Sequence, residues 1–309
     1  MAQEQHVRVL IIGYGSIGQR HRSVLESMGC EVAVLSSRDI DHPRVFKDLS
    51  DALKQWQPSY IVVANRTSEH HKTVQSLSNL GFAGNLLIEK PLFHQSTNFP
   101  SNTFSKVLVG YNLRFHSLLK QLKNYLDGRE VVSTIIHTGQ HLSSWRAGSP
   151  YRESYSSKSE EGGGVLRDLS HEIDYTTWLF GPWTALTSLG GKFSALDISS
   201  EDVFSILMKT NRCPLVSIHL NYVDRPGKRH ITVNTTEETF EVDLVNNTFS
   251  VDGEIEEISF DRNETYAAQH REMLESELRR GCSIEEGLQT IRTIECIERA
   301  NREAIWVTA

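Results

Sequence analysis

The chain has 309 residues, 39% of them hydrophobic and 23% charged, and a formal net charge of −7. That sign argues against a nucleic-acid backbone or an anionic membrane as the main partner, because both are bound by clustered Lys and Arg. No apolar run approaches the ~20 residues that span a bilayer, and "MAQEQHVRVLIIGYG" enters a strand with no apolar leader or cleavage site, so a cytoplasmic location is expected.

From residue 7 onward, strand-like and helix-like segments alternate. "VRVLIIG" is the continuous apolar run of a fully buried parallel strand. "SIGQRHRSVLESMG" has helical spacing and stops at Gly29, a C-cap glycine. "EVAVLSS" is a second strand, "LSDALKQW" a short helix and "SYIVVAN" a third strand. "SEHHKTVQSLSNLG" reads as a helix capped by Ser68. "NLLIEKP" and "KVLVGYN" complete a βαβ series, which implies a parallel sheet with helices on both faces. After Asn112 the pattern changes, so a boundary is expected there, giving domains 1–112 and 113–309. The helix "HSLLKQLKNYLDG" and the strand "EVVSTIIHTG" lead to a polar, aromatic stretch. Then "DVFSILMKT", "PLVSIHLNYV", "RHITVNT" and "TFEVDLV" alternate with turn signals, as a mostly antiparallel sheet does. Two helices close the chain, the last with a stripe of Leu288, Ile291, Ile294 and Ile297. The Asn-x-Ser/Thr triplets at Asn65, Asn234, Asn246 and Asn263 read as chance matches. Cys30, Cys213, Cys282 and Cys296 form no C-x-x-C pair and read as thiols of a reducing compartment.

The most specific signal is G-x-G-x-x-G at Gly13, Gly15 and Gly18, after a strand and before a helix. The first glycine permits a tight turn, the second a close approach to a pyrophosphate, and the third close packing of helix on strand. The diphosphate would lie at the helix N-terminus, where Tyr14, Ser16 and Ile17 complete the loop. At the end of the second strand, "VLSSRD" presents Ser36, Ser37 and Arg38. No carboxylate stands at the tip to repel a 2′-phosphate, so NADP(H) is favoured over NAD(H); Asp39, one residue further on, keeps NAD(H) open. "LLIEKPLF" puts Glu89 and Lys90 at the carboxyl end of a parallel strand, with Pro91 restricting Lys90. There the lysine can donate to a substrate oxygen or have its pKa lowered by burial.

A second cluster follows a triple glycine in "EGGGVLRDLSHEIDY", where Asp168, His171, Glu172 and Asp174 are all potential acids, bases or ligands. A metal is not expected: "HEID" lacks the second His of H-E-x-x-H, and no Cys pair supports zinc. Upstream, Trp145, Arg146, Tyr151, Arg152 and Tyr155 combine rings that stack on sugars or bases with guanidinium groups that pair with carboxylate or phosphate.

Together, G-x-G-x-x-G, "EKP", "GYNLRFH" and "GGGVLRDLSHEIDYTTWLFG", in this order over residues 7 to about 300, resemble the glucose–fructose oxidoreductase/inositol dehydrogenase/MocA family of NAD(P)-dependent oxidoreductases. The resemblance implies an α/β chain: an N-terminal Rossmann domain, then an α/β domain with an open, mostly antiparallel sheet that carries substrate and oligomer contacts. It implies a homo-oligomer, dimer or tetramer, and a sugar, polyol or nucleotide-linked sugar as substrate. By motif, Lys90 matches the family's "EKP" lysine, His171 its catalytic histidine and Asp168 the acid after the glycines. Ala64, Asn65, Arg66 and His70 form the cofactor-flanking loop, with Glu89 and Asn112 also on the cofactor side. Arg114 joins Lys90, His171 and the upstream aromatics and arginines on the substrate side. The chain departs from the family pattern in two places. "DLSH" leaves two residues rather than three between Asp168 and His171, so the pair either shares one helical face or Asp168 has another role. "ANRTSEH" lacks the usual proline of its loop.

The expected reaction is hydride transfer at a carbinol carbon, with His171 as acid/base, Lys90 as donor to the substrate oxygen and Asp168 orienting the imidazole. The glycines would be a flexible lead-in. The aromatic–arginine string points to an anionic sugar and is similar to members of the family in bacterial surface-sugar pathways. Two alternatives stand beside it: a reductase of a non-sugar substrate, of biliverdin or imine type, and a non-catalytic NAD(P)-binding sensor.

Overall fold

The computed structural model describes residues 7–145, 150–275 and 278–309. The chain forms two compact units, Met1–Phe115 with Asp261–Leu288, and His116–Phe260 with Gln289–Ala309.

In the first unit, β1 (Arg8–Ile12), β2 (Glu31–Leu35), β3 (Val45–Phe46), β4 (Tyr60–Val63), β5 (Asn85–Ile88) and β6 (Lys106–Val109) form one sheet in the order 3-2-1-4-5-6. All five pairings are parallel. Parallel neighbours need crossovers, and α1 (Ser16–Ser27), α2 (Leu49–Trp56) and α3 (Thr67–Asn79) supply three of them. A sheet covered on both faces has no polar side, which is why Val9–Ile11 and Tyr60–Val63 are wholly buried without alternation. The strand order reverses between β1 and β4, the switch point at whose carboxyl ends such sheets bind ligands. Helix α3 begins one residue before Ser68. Its capping position is Arg66, in extended conformation and without a side-chain cap, so Ser68 lies inside the first turn.

The second unit contains α4 (Ser117–Tyr125), β7 (Val131–Gly139), α5 (Val165–Asp168), α6 (Ser170–Phe180), β8 (Trp183–Gly191), β9 (Val203–Thr210), β10 (Val216–Asn221), β11 (Lys228–Thr235), β12 (Thr239–Asp243), β13 (Thr248–Val251), β14 (Glu254–Glu257) and β15 (Val307–Thr308). Its nine strands run 14-13-12-11-7-10-9-8-15, and every pairing is antiparallel except β7 with β10. Here the strands alternate. Ile136, Phe204, Ile206, Met208, Ile218 and Leu220 are buried, whereas Ile135, Leu189 and Leu207 on the opposite face are 55%, 71% and 42% exposed.

Two helices lie between β14 and β15 in the chain, α7 (Glu264–Leu274) and α8 (Ile284–Glu303). A boundary after Asn112 leaves α7 with the second half of the chain, but its contacts lie in the first unit. Met273 packs in one core with Val9, Ile11, Val62 and Leu87, and its carbonyl accepts from Asn85 Nδ2 at 2.8 Å. Further on, Cys282 bridges to Val109 of β6. Of the stripe visible in the sequence, Ile291, Ile294 and Ile297 are buried in the second unit, whereas Leu288 is half-buried and belongs to the first.

Candidate functional site

In the first unit the candidate residues gather at the carboxyl ends of β1, β2, β4 and β5. The three glycines of the loop have three different surroundings. A Cβ on Gly13, whose φ is +97°, would lie 2.5 Å from the Asn65 amide nitrogen and 2.6 Å from the Ala64 carbonyl oxygen. One on Gly18 would lie 2.2 Å from the Gly13 carbonyl oxygen, but one on Gly15 would meet nothing within 4 Å. The first and third glycines are thus demanded by the protein's own packing, and the second faces open space, as close approach of a ligand requires. Ser16 and Ile17 open α1, whose first turn has no acidic residue and no side-chain cap.

Around the tip of β2, the Arg38 guanidinium donates to the Tyr14 carbonyl, and Ser36 Oγ accepts from the Arg38 N–H at 3.2 Å. Lys47, just after β3, donates to the Ser37 and Arg38 carbonyls at 3.3 and 2.7 Å and pairs with Asp39 at 3.0 Å. Asp39, the carboxylate that keeps NAD(H) open, therefore carries its own cation. Lys47 was not singled out in the sequence because its only signal is a lysine next to a two-residue strand.

Asn65 donates to Glu69 at 3.2 Å and to Thr73 at 2.9 Å, and its buried Oδ1 has no partner among the described residues. His70 is 1% exposed. Its ring nitrogens face the carbonyls of Leu92 at 3.1 Å and Asn65 at 3.3 Å, so it ties the Asn65 loop to the turn that follows Lys90. Burial lowers its pKa, opposed by those carbonyls. Lys90 is half-buried, and its N–H donates to Glu89 Oε2 at 3.3 Å. Asn112 is buried and donates to Thr265 at 2.7 Å. Arg114 is 2% exposed and its guanidinium is engaged by Glu286 at 2.8 Å.

In the second unit the triple glycine is a packed corner rather than a flexible lead-in. A Cβ on Gly163 would lie 2.0 Å from the Tyr155 carbonyl oxygen, and one on Gly164, at φ +126°, 2.1 Å from the Glu201 carboxylate. Glu201 Oε1 accepts from the Leu166 N–H at 3.3 Å, and its carbonyl accepts from the Val165 N–H at 3.2 Å, so Glu201 holds the start of α5. Burial pushes its carboxyl up to about 7, against the pull of its hydrogen bonds and of Arg167. Arg167 in turn donates to Glu298 of α8 through Nη1 and Nη2, which anchors α5.

Asp168 and His171 do not share one continuous helix. The chain breaks at Leu169, with φ −99° and ψ 31°, between α5 and α6, so the i,i+3 face does not apply. Asp168 is 6% exposed and its Oδ2 accepts from Tyr222 Oη at 2.7 Å. The Tyr222 ring meets Trp145 edge-on, centroids 5.1 Å apart, and Trp145 donates to the Gln140 carbonyl at 3.0 Å. The fold thus joins two separately singled-out residues, Trp145 and Asp168, through a tyrosine that no local motif marks. His171 opens α6 and is half-buried. Beside it in sequence, the wholly buried Glu172 accepts from Arg229 at 2.7 Å and Thr138 at 3.0 Å. The same Arg229, after the larger effect of burial, helps hold His116 down at about 4. Arg152 is exposed, pairs with Asp197 at 2.8 Å and lies over the Tyr151 ring; Tyr155 is exposed beside them. Arg146 lies outside the described residues. Among the described residues no group of three or more His, Cys, Asp or Glu is arranged to hold a metal, and no helix is long and apolar enough to cross a membrane.

A doubly wound sheet with an open glycine at the mouth of α1 and a hydroxyl- and cation-lined strand tip beside it defines a dinucleotide-binding protein. Residues 7–99 match the model of the oxidoreductase family with an NAD-binding Rossmann fold, and residues 121–241 that of the GFO/IDH/MocA C-terminal domain. The matches cover more than half of the chain, which belongs to the GFO/IDH/MocA family; it is an oxidoreductase with a nicotinamide dinucleotide as cofactor. No curated protein matches the sequence. Among solved structures, the WlbA dehydrogenase from Bordetella pertussis, in complex with NADH and UDP-GlcNAcA, is 18% identical with a TM-score of 0.80, over 99% of each chain. GenD2 from gentamicin A biosynthesis, in complex with NAD, is 17% identical with a TM-score of 0.81, over 98% of this chain and 96% of that one. Levoglucosan dehydrogenase, in complex with NADH and levoglucosan, is 15% identical with a TM-score of 0.84, over 98% of this chain and 99% of that one. At these identities the likeness is one of fold.

Proposed function

We propose that the protein is an NADP(H)-preferring dehydrogenase or reductase of a sugar or nucleotide-linked sugar, acting at a carbinol or keto carbon. The observation that carries the reading is the open approach at Gly15 with Lys90 at the carboxyl end of β5 in the same sheet. The NADP(H) preference is supported by Ser36, Ser37, Arg38 and Lys47 at the β2 tip, where Asp39 is already paired with Lys47. When bound, the nicotinamide supplies or takes up the hydride. Lys90 donates to the substrate oxygen and stabilises the charge that develops there. His171 takes the carbinol proton in oxidation and returns it in reduction. Asp168, off the helical face of His171, acts instead through Tyr222, from whose hydroxyl it accepts a hydrogen bond.

Trp145, Tyr151, Arg152 and Tyr155 supply rings and a guanidinium for an anionic sugar, and the WlbA dehydrogenase, which was solved with UDP-GlcNAcA, supports that class. Surface-sugar metabolism in the cytoplasm is the corresponding setting. The exposed apolar face of the second sheet, with Ile135, Leu189 and Leu207, is proposed to pair with a second copy in a homo-oligomer.

The test is fluorescence titration with NADPH and NADH, then turnover on sugars, uronic acids and nucleotide-linked sugars, UDP-GlcNAcA included. NADPH is expected to bind about tenfold more tightly than NADH, and Lys90→Met and His171→Asn to lower kcat by at least ~100-fold with little change in cofactor affinity. Tighter NADH binding removes the basis for the cofactor preference. Near-normal kcat in both variants removes the catalytic assignment.

A further inference from the structure

Next to Lys90, four buried side chains form one unbranched run of hydrogen bonds in the first unit. Tyr60 Oη lies 2.8 Å from His270 Nδ1, His270 Nε2 lies 2.9 Å from His21 Nδ1, and His21 Nε2 lies 2.9 Å from Glu89 Oε1. The other Glu89 oxygen accepts the Lys90 N–H. Tyr60, His21 and His270 are wholly buried and Glu89 is 9% exposed. Gly110 makes room for this carboxylate, since a Cβ there would lie 2.7 Å from Glu89 Oε1. Tyr60, His21 and His270 have no part in hydride transfer as proposed above.

Counting protons gives the run a direction. A neutral imidazole has one N–H and one lone pair. If Tyr60 donates to His270, His270 Nε2–H to His21, and His21 Nε2–H to Glu89, every group is satisfied and the single charge is the carboxylate's. An added proton on His21 would reverse the two bonds beyond it and turn His270 Nδ1–H toward Tyr60. The Tyr60 hydroxyl proton would then have no acceptor among the described residues, which is unfavourable for a buried hydroxyl. Around the run, the His21 and Tyr266 rings meet at a steep angle with centroids 5.4 Å apart, and the Arg20 guanidinium lies over the Tyr266 ring, also at 5.4 Å. Cys30 and Glu89 act on Tyr60, and Arg262 on Tyr266. Burial, reinforced by His21, holds His270 well below the ordinary imidazole value.

We infer that Tyr60, His270 and His21 are positioning residues for Lys90: a one-way chain of donors that pins the Glu89 carboxylate against the Lys90 peptide N–H and keeps its negative charge beside that lysine. Only the consequence for turnover rests on the catalytic role proposed for Lys90; the chain itself is tested without it. The experiment uses the full-length protein with nitrogen-15-labelled histidine, the two rings being assigned by the signals lost in His21→Gln and His270→Gln. Both are expected as Nε2–H tautomers, and an Nδ1–H tautomer at either ring overturns the inference.

Two variants then separate direction from mere filling of space. His270→Gln can still donate to His21 and accept from Tyr60, whereas His270→Leu cannot. In His270→Leu, exchange of the Lys90 amide proton is expected to rise about tenfold while the Val62 amide in β4 keeps its protection; in His270→Gln the Lys90 amide stays close to wild type. Equal Lys90 exchange in wild type and His270→Leu, with the fold confirmed by thermal melting, overturns the inference. On a substrate that the Lys90→Met control fails to turn over, kcat should fall about tenfold in His270→Leu and recover in His270→Gln, with KM little changed. If Lys90→Met itself keeps its kcat, the functional reading fails, and the tautomer and exchange results still decide the positioning.

Discussion

Glu201→Gln isolates the energetics of the glycine corner. The Glu201 carboxyl lies against Gly164 and the N–H of Leu166, and its value rises from the ordinary 4.5 to about 7. Between those two values the folded state holds a proton that the unfolded chain has released. The linkage therefore runs against stability as pH rises: the cost is absent below about 4.5, grows through that window and is complete above about 7. At about 1.4 kcal/mol per pH unit the ceiling is about 3 kcal/mol, and partial solvent screening reduces it to about 2 kcal/mol. Glutamine keeps an acceptor for Leu166 and carries no charge. The variant should thus exceed wild type by less than about 1 kcal/mol at pH 5 and by about 2 kcal/mol at pH 8, the latter a rise of about 4–8 °C in melting temperature for a unit of this size. Melts of both proteins across pH 4.5–8.5 measure it. An equal shift at both pH values would show that desolvation is fully offset, and a loss at pH 8 that attraction to Arg167 outweighs it; either result would refute the reasoning.

The glycine loop offers a paired test. Gly13→Ala should destabilise the fold by about 3 kcal/mol or more and lower the melting temperature sharply, because it forces a Cβ onto the Asn65 backbone. Gly15→Ala should leave the melt unchanged and weaken cofactor binding about tenfold or more; a Gly15→Ala protein that binds NADPH normally contradicts the loop's role. Arg229→Met strands the buried Glu172 and should cost about 3 kcal/mol in thermal or urea unfolding. Adding Glu172→Gln should recover most of that loss.

Local pattern carried the first sheet well. "VRVLIIG" and "SYIVVAN" are apolar throughout because their strands are covered on both faces, and the glycine spacing reported a turn whose sterics the structure bears out. What local pattern could not carry was pairing across long stretches of chain. His21 and His270 are 249 residues apart, and nothing near either one announces the other. The same holds for Tyr222 with Asp168, and for Glu201 with the glycine corner, where a packing constraint reads in the sequence as flexibility. The break at Leu169 was hidden because "VLRDLSHEIDY" has helical composition on both sides of it. Arg114 looked available because a lone arginine gives no sign of the distant glutamate it meets.

The return of α7 to the first sheet has a consequence for how the protein is made. Residues 261–288 follow Phe115 by about 145 residues, on the order of 7–30 seconds of synthesis. Throughout that interval one face of the nascent sheet, with Val9, Ile11, Val62 and Leu87, lacks Met273, and His21 lacks His270. The first unit is therefore begun before the second and completed only after most of the second has been made.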